Sequence, residues 1–159
     1  MLCFDICLLK KAPQDLPYST NLLKILVIIN IVVNFLLSNI GIGRFDALMK
    51  VIVGVLLMVV FSWISLFFVK KLGRFCQTTS ALLGTDTIIS FFSLPAIATI
   101  AINQAGLLAF LLMIVLIIWY WIVTGHIMRN ALEQSFGFSL GLAFLYLLVS
   151  YQVTTFIIP

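Results

Sequence analysis

RFCQTTSALLGTDTIISFFSLP, residues Arg74 to Pro95, sets hydroxyl, amide and charged side chains between two strongly apolar runs. Its reading decides how many times the chain crosses a membrane. QTTSALLG reads as an amphipathic turn or two lying at a membrane surface, with Thr78, Thr79 and Ser80 free for local caps. Gly84 lets the backbone bend or approach a neighbour closely, and Asp86 is placed to cap a helix that begins at Thr87. The span so predicted, about 87–102, is short and contains Pro95. Proline removes a backbone hydrogen bond, so a kink or a broken helix is expected there, with Ser90, Ser93 and Thr99 available to the freed carbonyls.

The composition agrees with a membrane setting. Of 159 residues, 64% are hydrophobic and 9% charged, with a mean hydropathy of +1.27; a soluble domain is about half apolar and a quarter charged. So few charges cannot cover a surface in water, and lipid must act as solvent for most of the chain. A net charge of +4 is too small and scattered for a nucleic-acid surface. Cys3, Cys7 and Cys76 have neither zinc-ligand nor redox spacing, and His126 lies far from them, so no metal, disulfide or cofactor is expected.

Outward from the central stretch, four further spans are predicted. The first, about 22–42, follows an N-terminal segment, 1–21, in which MLCFDICLL reads as an interfacial helix. Pro13 and Pro17 interrupt that segment, and Ser19 or Thr20 caps the span. Asn30 and Asn34 are spaced i, i+4 and share a face with a cost in lipid, so that face is expected against another helix; Gly41 and Gly43 end the span. The second, about 49–69, ends at Lys70 and Lys71 with Trp63 nearby. Asn103 and Gln104 turn the chain into the fourth, about 105–123, closed by an interfacial belt of Trp119, Tyr120 and Trp121. TGHIMRNALEQS then prolongs that helix, Arg129 and Glu133 forming an i, i+4 pair. The fifth, about 136–158, carries Gly137-x-x-x-Gly141, which permits close helix approach. The fold expected is all-α, a bundle of five transmembrane helices with short interfacial helical pieces.

Basic residues set an expected orientation. With the N-terminus cytoplasmic, Lys10, Lys11, Lys24, Lys70, Lys71, Arg74 and Arg129 fall inside, and only Arg44 and Lys50 outside. The C-terminus is then outside. No soluble domain is left over.

Chemistry has few places to reside. Asp5, Asp15, Asp46, Asp86 and Glu133 form no acid–base pair by spacing, and no nucleophile triad, phosphate loop or zinc signature occurs, so catalysis is not expected. Two functional readings remain. In one, the Asn30/Asn34 face, Gly84 and Gly137/Gly141 pack helices or bind a partner, making the protein a non-enzymatic scaffold or accessory subunit. In the other, Thr85, Asp86, Pro95, His126, Arg129 and Glu133, with the first-span asparagines, line a polar chamber on the cytoplasmic side of a small transporter or channel. Against the chamber stands a plainer reading, with Asp86 a cap, Arg129 an interfacial anchor and His126 a polar-face residue.

APQDLPYS before the first span, FCQTTSALLGTDTIISFFSLP in the middle and GHIMRNALEQSFGFSLGLAFLYLL at the end together resemble small membrane proteins of the Yip (Ypt-interacting-protein) type, especially their uncharacterised bacterial members. The resemblance implies five helices with a cytoplasmic N-terminus and, in eukaryotic members, trafficking partners. The long soluble N-terminal region of those members is not present before residue 22, which favours a bacterial inner-membrane protein. The expected associates are membrane lipid and either another membrane protein or a second copy, with no nucleic acid.

Overall fold

Ser19 opens the first long helix. Its backbone is extended and its Oγ accepts the amide of Leu22 at 3.3 Å, satisfying one of the N–H groups a helix start leaves free. In this computed structural model, which describes residues 2–40, 43–101 and 106–157, the chain forms six α-helices and, among those residues, no strand. They are α1 (Leu2–Cys7), α2 (Thr20–Ser38), α3 (Arg44–Phe68), α4 (Phe75–Ala101), α5 (Leu107–Leu132) and α6 (Phe136–Ile157). Short 3-10 turns at Pro13–Asp15 and Leu72–Arg74 precede α2 and α4. Five helices, α2 to α6, are long and apolar enough to cross a membrane. The turn expected at Asn103 and Gln104, with Gly41 and the ends of the predicted spans at Ile42, Ile102, Ala105 and Ile158, lies outside the described residues.

The central stretch departs from its reading. Helix α4 begins at Phe75, twelve residues before Thr87, and runs through Gly84, Thr85 and Asp86 without a break. Asp86 is therefore mid-helix and caps nothing. The supposed surface segment is instead the most enclosed part of the protein: every residue from 78 to 85 is buried. α4 packs against α1, α2, α3 and α5, and a helix surrounded on all sides has no polar face to display. Several of its hydroxyls find partners close by, while that of Thr78 is buried without one. Thr85 Oγ1 donates to the carbonyls of Ala81 and Leu82, Thr87 Oγ1 to that of Leu83, and Thr79 to Ser62 Oγ on α3 at 3.0 Å.

Pro95 also lies inside α4, which continues past it to Ala101, so the expected break is not made. Ser93 and Thr99 donate to the carbonyls of Ser90 and Ala96. Neither is the Phe91 carbonyl that Pro95 deprives of its usual partner.

Helix ends correct two further expectations. α5 runs nine residues beyond Val123, so Trp119, Tyr120 and Trp121 stand within it and not at its edge. Their indoles serve the interior: Trp119 Nε1 donates to the Cys7 carbonyl at 3.0 Å and Trp121 Nε1 to that of Leu140 at 2.9 Å. α5 then stops at Leu132, because Glu133 adopts a left-handed conformation (φ 55°, ψ 41°). That ends the helical spacing on which an Arg129–Glu133 pair depends. Arg129 instead lies over the Phe136 ring, 5.9 Å from its centroid.

The N-terminal segment does not lie apart on the membrane surface. Ile6 and Cys7 are buried, and α1 packs against α4 and α5. A Cβ on Gly84 would stand 2.7 Å from Cys3 Sγ, so the missing side chain is what admits α1. Gly125 plays the same part between α5 and α6, where a Cβ would meet Leu140 Cδ2 at 2.8 Å and its Cα at 3.4 Å. Gly137 and Gly141 face open space, with nothing within 4 Å of a built Cβ.

Burial pushes the Cys7 thiol up to about 12, and the neighbouring Cys3 thiol adds to the rise. A thiol so placed reacts poorly with alkylating reagents, which need the thiolate. Gly84→Leu should drive α1 off α4 and raise maleimide labelling of Cys7, mapped by mass spectrometry at mildly alkaline pH, by about tenfold or more. Unchanged labelling in the variant would show that α1 is not seated through Gly84.

Candidate functional site

Asp86 is the one charged residue of α4. It lies eleven residues from Phe75, a rise of about 16 Å. An aspartate at the centre of a membrane helix costs about 2.5–3.5 kcal/mol on insertion scales unless it is met by partners. α2 supplies them. Asn30 Nδ2 lies 2.8 Å and Asn34 Nδ2 3.1 Å from Asp86 Oδ2. Asn30 Nδ2 is also within reach of Thr87 Oγ1 and the Leu83 carbonyl, at 3.0 and 3.2 Å, while Ser90 Oγ donates to Asn34 Oδ1 at 3.0 Å. The i, i+4 asparagine face thus meets another helix, as its spacing predicts, and that helix belongs to the same chain.

Asn30, Asn34 and Asp86 line a cavity of about 250 Å³ between the helices. Its inner end carries Asn30, Asn34, Asp86, Tyr120 and Tyr146; Ser38, Lys50 and Thr154 stand toward the ends where α2 and α6 finish and α3 begins. A smaller cavity of about 180 Å³ touches Asp86 from the other side, with Ser90, Ser93 and Tyr120 in its wall. An apolar groove of about 440 Å³ between α3 and α6 shares Tyr146 and Ser150 with the polar cavity but has no charged residue in its lining.

The single chamber expected from sequence is divided in two. Asn30, Asn34 and Asp86 are brought together. His126, Arg129 and Glu133 lie at the opposite end of the bundle, where α3 and α5 finish. Thr85 bonds back onto its own helix, and Pro95 is absent from both cavity walls. The cavity at Asp86 therefore extends toward the end carrying Lys50 and away from the end rich in lysine and arginine.

At that basic end the groups serve as fastenings. Glu133 accepts ion pairs from Lys71 and, at 2.6 Å, from Arg74. The α3–α4 connection is thereby tied to the α5–α6 connection. His126 Nε2 lies 3.1 Å from the Lys11 carbonyl, Gln14 Nε2 donates to the Asn130 carbonyl, and Gln77 Nε2 to the carbonyls of Gln14 and Leu16. The N-terminal segment is strapped across the mouth of the bundle by these bonds. Among the described residues no group of three His, Cys, Asp or Glu could hold a metal ion.

Sequence reasoning missed Lys50, Thr87, Tyr120, Tyr146 and Ser150, although a signal was present for some of them. Tyr146, Ser150 and Thr154 recur at i, i+4, i+8 on α6, as Asn30, Asn34 and Ser38 do on α2. Comparison with family models, with curated proteins and with solved structures finds no match to this chain.

Two outcomes follow from this arrangement. Asn30→Leu strips a donor from a half-buried carboxylate and should lower unfolding stability in mild detergent by about 1–3 kcal/mol; melting like wild type would show that the amide does not hold α2 to α4. The bonds and charges of Lys71 and Arg74 hold the Glu133 carboxyl below its ordinary range. A carboxyl lowered on folding stabilises the fold above its unfolded pKa and loses that effect as pH falls through the folded value. Glu133→Gln should therefore melt below wild type at neutral pH, with the gap closing in acid below the usual carboxylate range. A gap unaltered by acid would remove the ion pairs as its cause.

Proposed function

We propose that this protein is a small membrane carrier or channel that takes a small polar solute into the cavity at Asp86. The observation that carries the reading is a half-buried carboxylate, mid-helix, lining a polar cavity of about 250 Å³. Ionisable groups at membrane depth mark solute and ion paths by default. The cavity is below the 300–1,000 Å³ usual for drug-sized ligands, which suits an ion or a small metabolite. Nothing in this reading calls for catalysis. In the orientation with the basic end cytoplasmic, in a bacterial inner membrane, the cavity faces outward.

A second reading is favoured by one observation. Gly137 and Gly141 are exposed with open space before them, so a helix of another membrane protein or of a second copy could approach there. On that view the chain is a non-enzymatic accessory subunit, the role closest to a Yip-like protein. The asparagine face gives it less support, since Asn30 and Asn34 bond within the chain.

Reconstituted vesicles separate the two. Wild type should speed entry of at least one small ion or polar metabolite by about tenfold over empty vesicles, and Asp86→Asn should remove the gain. Wild-type vesicles as tight as empty ones across such a panel, together with a stoichiometric protein partner on gentle extraction, would replace transport with the accessory role.

A further inference from the structure

Lys50 and Asp86 are the two charged residues in the wall of the polar cavity. Among the described residues, ion pairs are confined to Glu133 with Lys71 and Arg74, so Lys50 and Asp86 are paired neither with each other nor with a third group. Their levels differ. Ser62 on α3 meets Thr79 on α4, and the two helices are consecutive and antiparallel, so that contact fixes their register. From it, Asp86 lies seven residues along α4 and Lys50 twelve residues back along α3. At ~1.5 Å per residue the difference of five places Lys50 about 8 Å nearer the open end.

A cavity with an anion at its floor, a cation at its mouth and hydroxyls between presents a dipole. Resting on the reading of this cavity as a solute site, we propose that its solute is a small zwitterion of the amino-acid class, an ammonium joined by a short linker to a carboxylate. The ammonium meets Asp86 and the carboxylate meets Lys50. Asn30 and Asn34 both act on Asp86 Oδ2, which leaves Oδ1 free of asparagine contacts, and the Tyr120 side chain stands beside the carboxylate as a further partner. Tyr146, Ser150 and Ser38 offer hydroxyls along the way. A volume of about 250 Å³ is the share of roughly eight waters at ~30 Å³ each, which is ample room for such a molecule.

The arrangement also selects. A simple cation entering by this cavity would pass Lys50 on its way to Asp86, and a simple anion held by Lys50 would face Asp86. A zwitterion satisfies both and has no net charge, which spares the cost of carrying an uncompensated ion into the membrane.

The test uses the purified full chain in lipid nanodiscs and titration calorimetry. The probes are glycine, β-alanine and γ-aminobutyrate, each beside the amine and the carboxylate of matching length. At least one zwitterion should bind about tenfold or more tightly than its two matched controls. Lys50→Gln, at the exposed mouth, should abolish the preference over the amine, and Asp86→Asn the preference over the carboxylate. If the amine binds wild type as tightly as the zwitterion, and Lys50→Gln changes nothing, the zwitterion is overturned and a cation site at Asp86 stands. If none of the probes binds while another solute crosses vesicles in an Asp86-dependent way, the zwitterion alone is again overturned. Absence of both binding and Asp86-dependent flux overturns the cavity reading with it.

Discussion

A carboxylate halfway along a membrane helix must be met by donors from its neighbours, and much of this bundle is arranged to meet one. Two asparagines a turn apart on α2 supply the amides for Asp86, which fixes the rotation of α2 against α4 and their relative height. A slip of one residue would turn that face into lipid with unpaired amides. With α2 held, the small and hydroxyl side chains between Thr78 and Thr85 allow α1, α3 and α5 to close around α4. Buried polar contact and close approach therefore reinforce each other, where hydrophobicity alone would not distinguish one helix from the next in lipid.

The two ends of the bundle are built differently. At the basic end Glu133 grips two connections at once, and the 11–16 segment is tied down through backbone carbonyls. Lys70 and Glu133 both hold left-handed backbone conformations beside that grip, a cost that the surrounding bonds offset. At the other end Lys50 and Ser38 border the polar cavity. Movement that opened the cavity would find its resistance at the first end and its freedom at the second.

Much of the fold was legible in the sequence because hydropathy and length report directly on membrane helices. Five spans, the Ser19 cap and the inward turn of Asn30 and Asn34 all come from local signals. What failed was the stretch around Gly84. Its hydroxyls and glycine read as a surface segment, since a single sequence does not say that four other helices will enclose it and that Thr79, Thr85 and Thr87 will find bonds there. The site was half legible for a similar reason. Asp86 and the asparagines are marked by residue type, but Asp86 reads as a cap beside His126, Arg129 and Glu133 at one surface, and only the start of α4 at Phe75 carries it away from them. Tyr146, Ser150 and Thr154 were readable by spacing and were hidden by the apolar run around them.

The strapping of the N-terminal segment bears on how the protein is made. Its bonds join residues 7, 11 and 14 to residues 119, 126 and 130, separations of 112 to 116 along the chain. Synthesis runs from the N-terminus, so this segment is made before the helices it binds, and its seat on α4 is not completed until α5 has been delivered to the membrane. Its apolar face, with Ile6 and Cys7, must wait at the lipid boundary until α4 brings Gly84 to it. A segment made ahead of the helices that hold it is thus among the last to settle, and its docking signals that the bundle is nearly complete.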